Sequence, residues 1–200
     1  MTKASVRLSE RELKRRSSGG RRDMTGIWLL GGAAVISIVL ILLTLRPASS
    51  NVPLVDGVVD YTNLARSHTS SPVNYPQNPP VGGSHNPTWL NCGIYDQPVQ
   101  NENAVHSLEH GAVWITYQPN LAADVVQKLR SLVSGHPYVI LSPYPNLPKP
   151  VVASAWGLQL QLDDPNDARL QLFITRYENG PQTPEPGAVC TGGTGNPIAN

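Results

Sequence analysis

The sequence has 200 residues, which is enough for one ordinary domain with additional segments, and its formal net charge is +1. That small charge hides an asymmetry, because residues 1–25 carry eight basic and three acidic side chains, whereas residues 47–200 carry six basic and eleven acidic ones. The sequence contains no phosphate-binding loop, dinucleotide-binding fingerprint or serine nucleophile elbow, and no nucleic-acid-binding module accompanies the basic segment. We therefore predict no nucleic-acid partner.

Residues 26–45, GIWLLGGAAVISIVLILLTL, contain no charged side chain and predict a single transmembrane helix. A helix of this length spans about 30 Å, the thickness of the hydrocarbon core of a bilayer. Residues 1–25 then form a basic cytoplasmic tail, and the positive-inside rule places the C-terminal part of the chain outside. The alternative is a signal peptide cleaved near Ala48 and Ser50, although the apolar core of a signal peptide is usually only about 7–15 residues long.

The next two segments predict little regular structure. Residues 46–66 read as a tether that contains one short strand or helical turn, and residues 67–103 are rich in Pro, Gly, Ser and Asn. So long an irregular segment inside a domain is usually functional or disordered. Its apolar side chains favour an ordered loop region that docks on a core; they are Tyr75, Trp89, Ile94 and Tyr95.

From residue 104 onward the pattern becomes regular. Ala104–His110 predicts a short helix, with Asn101 or Asn103 as its N-cap and Gly111 as its stop. The run that follows, Ala112–Gln118, is dominated by apolar, β-branched and aromatic residues and predicts a strand with two buried faces.

An amphipathic helix and a second strand come next. Residues 120–135 have apolar side chains at helical spacing, with Asn120 as the N-cap and Gly135 as the stop. Pro137–Ser142 predicts the strand that follows this helix. A strand, a crossover helix and a strand together indicate a partly parallel sheet.

The last elements complete the predicted fold. Val151–Trp156 predicts a third strand, which Leu158–Leu162 either extends or pairs with. A final helix begins with Asp164 as its cap, and residues 181–200 predict a coil tail. We therefore predict an α+β domain over residues 67–180, with a small mixed sheet of three to five strands and two main packed helices.

Cys92 and Cys190 are the only cysteines, and both lie in the predicted external part of the chain. An even number of cysteines in an oxidising compartment predicts one disulfide. The alternative is a thiolate metal ligand or a redox-active pair. Because the sequence has no C-x-x-C motif, we favour the structural disulfide.

Two segments carry a resemblance to a known family. The segment PPVGGSHNPTWLNCGIYDQPV is followed by AVHSLEHGAVWITYQP. The motif positions are Pro79, Pro80, Gly83, His85, Gly93, Tyr95, Pro98, Val99 and His106 to Gly111. In these motifs the chain resembles the uncharacterised bacterial membrane-anchored family catalogued as domain of unknown function 3105. The resemblance covers residues 60–180 approximately, implies a single-pass protein of the bacterial cell membrane, and supplies no established activity.

The histidines are the main candidates for chemistry. His106 and His110 are one helical turn apart and share a face, which is the spacing that a chelating pair needs. Glu109 lies near His106 on the same helix and is a candidate ligand, hydrogen-bond acceptor or base. A third nitrogen is available from His85 or His68 in the preceding loop region. Three histidines suit zinc, copper(II) or nickel.

Other interpretations of the same residues stay open. The histidines can instead hydrogen-bond the loop backbone, and a weaker alternative is general acid–base catalysis. The order H-x-x-E-H also matches inverted zinc proteases, with Glu178 as a downstream acid, but Gly111 and a strand follow too soon for the long helix of such enzymes. The two methionines, Met1 and Met24, precede the external domain, so thioether ligation of copper(I) is not available there. His136 follows a helix-ending glycine and predicts a turn residue.

Three functional hypotheses follow. The first is a membrane-anchored extracytoplasmic domain that binds a divalent metal ion through His85, His106 and His110, with Glu109 and His68 as further candidates, as an accessory protein of the cell envelope. The second is a metal-free interaction module that contacts an envelope protein through its Pro-rich loop. The third is a metal-dependent hydrolase, for which the sequence identifies no catalytic residue.

Overall fold

The computed structural model describes residues 54–199. The chain divides into two units, Met1–Ser50 and Asn51–Asn200, and the described residues belong to the second unit. The predicted tail 1–25, the predicted membrane helix 26–45 and the first part of the tether therefore lie outside the described residues. Within residues 54–199, no helix has the length and apolar character that crossing a bilayer requires.

Runs of β-branched and apolar residues form the centre of a six-stranded mixed sheet. The strands are β1 (Val59–Asp60), β2 (Gly93–Ile94), β3 (Val113–Tyr117), β4 (Val139–Pro143), β5 (Val151–Ala155) and β6 (Leu158–Leu162). Their order across the sheet is β1-β6-β5-β3-β4-β2. The mixed α+β class is confirmed, but the prediction of three to five strands is wrong. The outermost strands, β1 and β2, have two residues each and are too short to show an alternating pattern in the sequence.

The strand pairing follows the predicted connections. β3 and β4 are parallel, with Val113 opposite Val139, as expected for two strands joined through a helix. β5 and β6 form an antiparallel hairpin, so Leu158–Leu162 pairs with the preceding strand and does not extend it. β1, which lies in the predicted tether, pairs antiparallel with β6, and β2 pairs parallel with β4.

Three helices accompany the sheet: α1 (Asn101–Glu109), α2 (Ala123–Val133) and α3 (Arg169–Tyr177). None has a side-chain hydrogen bond at its N-cap, so the predicted asparagine and aspartate caps are wrong. Asn101 and Asn103 lie inside α1, and the Asn103 amide donates to the carbonyl oxygen of Thr88 at 2.6 Å. Asp164 precedes α3 by one turn and accepts a hydrogen bond from the backbone of Asn166. These polar side chains anchor loops instead of capping helices.

Alternation of side chains along the central strands creates two apolar layers. Val113 and Ile115 belong to one buried cluster, together with residues of α2 and α3 such as Leu129 and Phe173. Trp114 points to the opposite layer, where it joins Val105, Leu108 and parts of the Pro-rich loop region. The helix α1 and the loop that carries His68 and His85 therefore share one face of the sheet.

The tail after residue 180 has no helix or strand among its described residues, as predicted, yet it is held in place. The sulfur atoms of Cys92 and Cys190 lie 1.97 Å apart, which is disulfide distance, and close a sequence separation of 98 residues. Isolated bridges also join Leu90 to Thr194 and Ile94 to Ala199. The tail therefore returns to the segment that precedes α1.

Candidate metal centre

Helix α1 supplies three polar side chains to one side of the domain. His106 and Glu109 are three residues apart, and His110 follows directly after the last helical residue, so all three face the same direction. Leu108 points the other way and is fully buried in the apolar layer. Gly111 has a φ of +101° and ends the helix as predicted, which turns the chain into β3.

The Pro-rich loop region brings two more histidines to the same place. A short parallel bridge pairs His68 with His85. The backbone N–H of Thr69 donates to the carbonyl oxygen of His85 at 2.7 Å, and the N–H of His85 donates to that of Ser67 at 3.0 Å. This bridge fixes two imidazole rings side by side, with ring centroids 4.9 Å apart.

Four of these side chains form one cluster. His68, His85, His106 and Glu109 each offer a ligand atom, and the four atoms all lie within 4.8 Å of one another. The Glu109 Oε2 atom is 2.9 Å from His85 Nε2 and 3.9 Å from His68 Nε2. The structure therefore brings together His85 and His106 with the two further candidates of the sequence, His68 and Glu109.

The fifth predicted residue, His110, lies beside this cluster and is not one of its four members. Its Nε2 atom is 3.0 Å from His106 Nε2 and 3.6 Å from the Oε2 atom of Glu185. Glu185 could not be predicted as a site residue, because one acidic residue in a Pro-rich tail shows no periodicity or motif. Only the return of the tail to α1 places it here.

Burial closes the centre on most sides. The side chains of His85, His106, His110 and Glu109 are buried, whereas the His68 side chain is 49% exposed. Two indole rings flank the imidazoles: the Trp156 ring lies 5.8 Å from that of His85, and the Trp89 ring lies 5.1 Å from that of His110. The cluster is therefore shielded within the fold but reaches solvent at His68.

Backbone carbonyls fix the protonation pattern of the buried rings. The Nδ1 atoms of His85, His106 and His110 lie 2.8, 2.6 and 2.7 Å from the carbonyl oxygens of Gly83, Asn86 and Val189. A carbonyl oxygen only accepts hydrogen bonds, so each Nδ1 carries a proton and donates it. In a neutral ring, Nε2 is then an unprotonated acceptor. Metal-ligating histidines are oriented in this way in proteins, by a hydrogen bond from the second ring nitrogen.

Within the cluster, one buried nitrogen makes no hydrogen bond. The Nε2 atom of the fully buried His85 lies 2.9 Å from Glu109 Oε2, and no hydrogen bond joins the two atoms. A buried polar atom without a partner is costly, by about 1–3 kcal/mol. A cation between this nitrogen and the carboxylate would satisfy both atoms.

The burial of His106 also suits a ligand. The pKa of His106 is lowered to about 4, mainly by desolvation and also by the neighbouring His110, His85 and His68, against the hydrogen bond to Asn86, which raises it. A metal ion binds the neutral imidazole, so a low pKa leaves this ring ready to ligate at neutral pH.

The remaining candidates have structural partners. His136 Nδ1 lies 2.6 Å from Glu178 Oε2, and Glu178 Oε1 accepts the backbone N–H of Tyr138 at 3.0 Å. His136 is thus a turn residue as predicted, and Glu178, the acid that a protease interpretation would require, is engaged in holding this turn.

Comparison with known proteins gives a family and nothing more specific. Neither the curated proteins nor the solved structures contain a match to this chain. A family model described as Protein of unknown function (DUF3105) matches residues 67–192, which is more than half of the chain and includes every residue of the cluster. The resemblance seen in the sequence is therefore confirmed, and the chain belongs to this family of proteins of unknown function.

Proposed function

We propose that this chain is a membrane-anchored, extracytoplasmic protein whose folded domain binds a divalent transition-metal ion through His68, His85, His106 and Glu109. The observation that carries the proposal is the pair of buried atoms His85 Nε2 and Glu109 Oε2, which lie 2.9 Å apart without a hydrogen bond. Zinc keeps ligand nitrogens and oxygens at about 2.0–2.2 Å, so adjacent ligand atoms of one ion lie about 3 Å apart. The observed separation fits two ligands of the same ion.

The donor set narrows the choice of ion. Three imidazoles and one carboxylate are the ligands that zinc and copper(II) accept, and nickel also accepts imidazole. Thiolate ligands are excluded in the described part of the chain, because both cysteines lie at disulfide distance from each other. We therefore expect zinc or copper(II) and no preference for copper(I).

Removing the central carboxylate tests the proposal. Glu109→Gln keeps the size of a buried side chain but removes its negative charge. We expect zinc and copper(II) to bind at least a hundredfold more weakly to this variant. The reason is that replacing a residue that only supports a metal ligand already lowers metal affinity about 10- to 100-fold. The measurement is calorimetric titration of the full chain in detergent, without a histidine tag, after treatment with a chelator. His136→Gln is the matched control, because His136 pairs with Glu178 away from the cluster and its replacement should leave the affinity unchanged.

Two results would contradict this function. The first is a wild-type protein that binds neither ion and shows no thermal shift when zinc, copper(II) or nickel is added. In that case the cluster only anchors the loop, and the domain is a metal-free module that contacts an envelope protein. The second is equal affinity in the wild type and in Glu109→Gln.

The location in the cell envelope is supported by the sequence. Residues 26–45 have the length and apolar character of a membrane helix, and the basic residues 1–25 orient it with the N-terminus in the cytoplasm. The cysteine pair at disulfide distance is expected in an oxidising compartment. The domain would thus meet metal ions outside the cytoplasm, as an accessory protein of the bacterial cell membrane.

A further inference from the structure

The contact between His106 and His110 needs an explanation that a single four-ligand ion does not provide. Their Nε2 atoms are 3.0 Å apart, and both Nδ1 atoms donate to backbone carbonyls, of Asn86 and Val189. In neutral rings, two unprotonated nitrogens therefore face each other inside the protein. Both side chains are buried, so water cannot freely separate them. A proton on one of the two nitrogens would join them by a hydrogen bond, whereas a metal ion bound by both would remove the repulsion without charging a buried ring.

A carboxylate lies next to the same pair. The Glu185 Oε2 atom is 3.6 Å from His110 Nε2, which is longer than a hydrogen bond of about 2.7–3.2 Å. The backbone of Glu185 is fixed, since its N–H donates to the carbonyl oxygen of Glu109 at 3.1 Å. The tail thus holds an acidic side chain beside two converging nitrogens.

The number of donors exceeds the need of one ion. Zinc in proteins is almost always bound by four ligands. Six side chains offer ligand atoms in this region, and they are His68, His85, His106, His110, Glu109 and Glu185. Six donors are instead what two neighbouring ions require, with three protein ligands each and solvent in the remaining positions.

We infer that the cluster is a two-ion centre, in which His106, His110 and Glu185 hold a second divalent ion beside the one held by His68, His85 and Glu109. This inference rests on the proposed function. The Nε2 atom of His106 has one lone pair and ligates one ion at a time. With one ion bound, His106 completes the cluster of four; with two ions bound, it pairs with His110.

The solvent exposure of two of the six ligands supports two metal sites over one closed metal site. The two most exposed donors are His68, whose side chain is 49% exposed, and Glu185, whose side chain is 53% exposed. They belong to different sets of three ligands. Each ion therefore has its own ligand at the protein surface, through which it can be exchanged.

Counting bound ions tests the inference. We expect the full chain, stripped of metal and titrated with zinc in a calorimeter, to bind two ions, and elemental analysis after desalting to find more than one. Glu185→Gln and His110→Ala should each reduce the number to one. Glu185 is exposed and its variant is expected to fold normally, and Asp124→Asn, which changes an exposed carboxylate on α2, is the matched control that should keep two ions.

Copper(II) provides a second readout. Paired metal ions in proteins lie about 3.5–4 Å apart, close enough for their unpaired electrons to couple. We expect the first equivalent of copper(II) to give the electron paramagnetic resonance signal of an isolated ion, and the second to diminish or split that signal. In Glu185→Gln, the second equivalent of copper(II) should neither diminish nor split this signal.

The outcomes separate the two proposals. In one outcome, the wild type binds one ion, which is lost in Glu109→Gln and kept in Glu185→Gln. That result overturns the inference of a second ion and leaves the proposed function intact. Two ions in both the wild type and Glu185→Gln also overturn the assignment of Glu185. Absence of any bound ion contradicts both proposals together.

Discussion

The orientation of three buried imidazole rings is the basis of the proposed metal binding. Three buried histidines donate Nδ1 protons to the backbone, so their Nε2 atoms are directed toward one another and toward Glu109. Hydrogen bonds of this kind hold the loop in place and also prepare the rings as ligands, so the structural and metal-binding interpretations of these residues share the same contacts. What favours metal binding is the buried pair of His85 Nε2 and Glu109 Oε2, which lie 2.9 Å apart without a hydrogen bond.

The low pKa of His106 leads to a prediction for the metal-free protein. The pKa is about 4 in the folded chain and 6.5 ordinarily, so between these values the unfolded chain binds a proton that the folded chain does not. The free energy of unfolding therefore falls as the pH falls from about 6.5 to about 4, and the loss from His106 reaches about 3 kcal/mol. Above this window the contribution is constant.

Urea denaturation in the presence of a chelator, repeated across this pH range, measures the effect. In His106→Gln the fall in the free energy of unfolding between pH 6.5 and pH 4 should be smaller, because the variant has no group at this position to titrate. An equal fall in the free energy of unfolding in the wild type and the variant would show that the pKa of His106 is not lowered in the folded chain.

At the level of elements, the junction between α1 and β3 positions the centre. Gly111 ends the helix directly after His110, and its carbonyl oxygen accepts the backbone N–H of Asn179 at 2.9 Å. A Cβ atom at this position would lie 2.6 Å from Asn179 Oδ1 and 3.0 Å from Thr183 Oγ1. Together with the positive φ, this close approach explains why glycine is needed here.

We expect Gly111→Ala to reduce the free energy of unfolding by about 3 kcal/mol, as the sum of backbone strain and steric overlap. Gly135→Ala is a matched control, because Gly135 also has a positive φ, +84°, but a Cβ atom there would meet nothing within 4 Å. The control should lose only about 1 kcal/mol. Equal losses in the two variants, measured by chemical denaturation, would show that the contacts around Gly111 contribute nothing.

The helices and strands show which features of the fold can be predicted from sequence patterns. The long strands β3 to β6, the crossover helix α2 and the parallel pairing of β3 with β4 were all predictable, because periodicity and connection rules act over many residues. The strands β1 and β2 were not, since two residues carry no period. Likewise, His106 and Glu109 are linked by helical spacing, whereas His68 meets His85 through a bridge between irregular segments, and Glu185 arrives through the tail.

At the scale of the whole molecule, the proposal joins an external metal-binding domain to a membrane anchor. The sequence supports the anchor through residues 26–45, which lie outside the described residues. We expect the full chain to sediment with bacterial membranes and to resist extraction at high pH, because the uncharged segment 26–45 would be inserted in the bilayer. A variant that lacks residues 1–46 should be released, and recovery of the full chain in the soluble fraction would contradict the anchor.

The central claim is that a metal ion lies between His85, Glu109 and their neighbours, and an anomalous-difference map from crystals of the zinc-loaded protein tests it most directly. We expect a peak at the zinc absorption edge about 2.0–2.2 Å from both His85 Nε2 and Glu109 Oε2, the lengths of zinc–nitrogen and zinc–oxygen bonds. A map with no peak at the cluster, or with a peak only beside His136, would contradict the account.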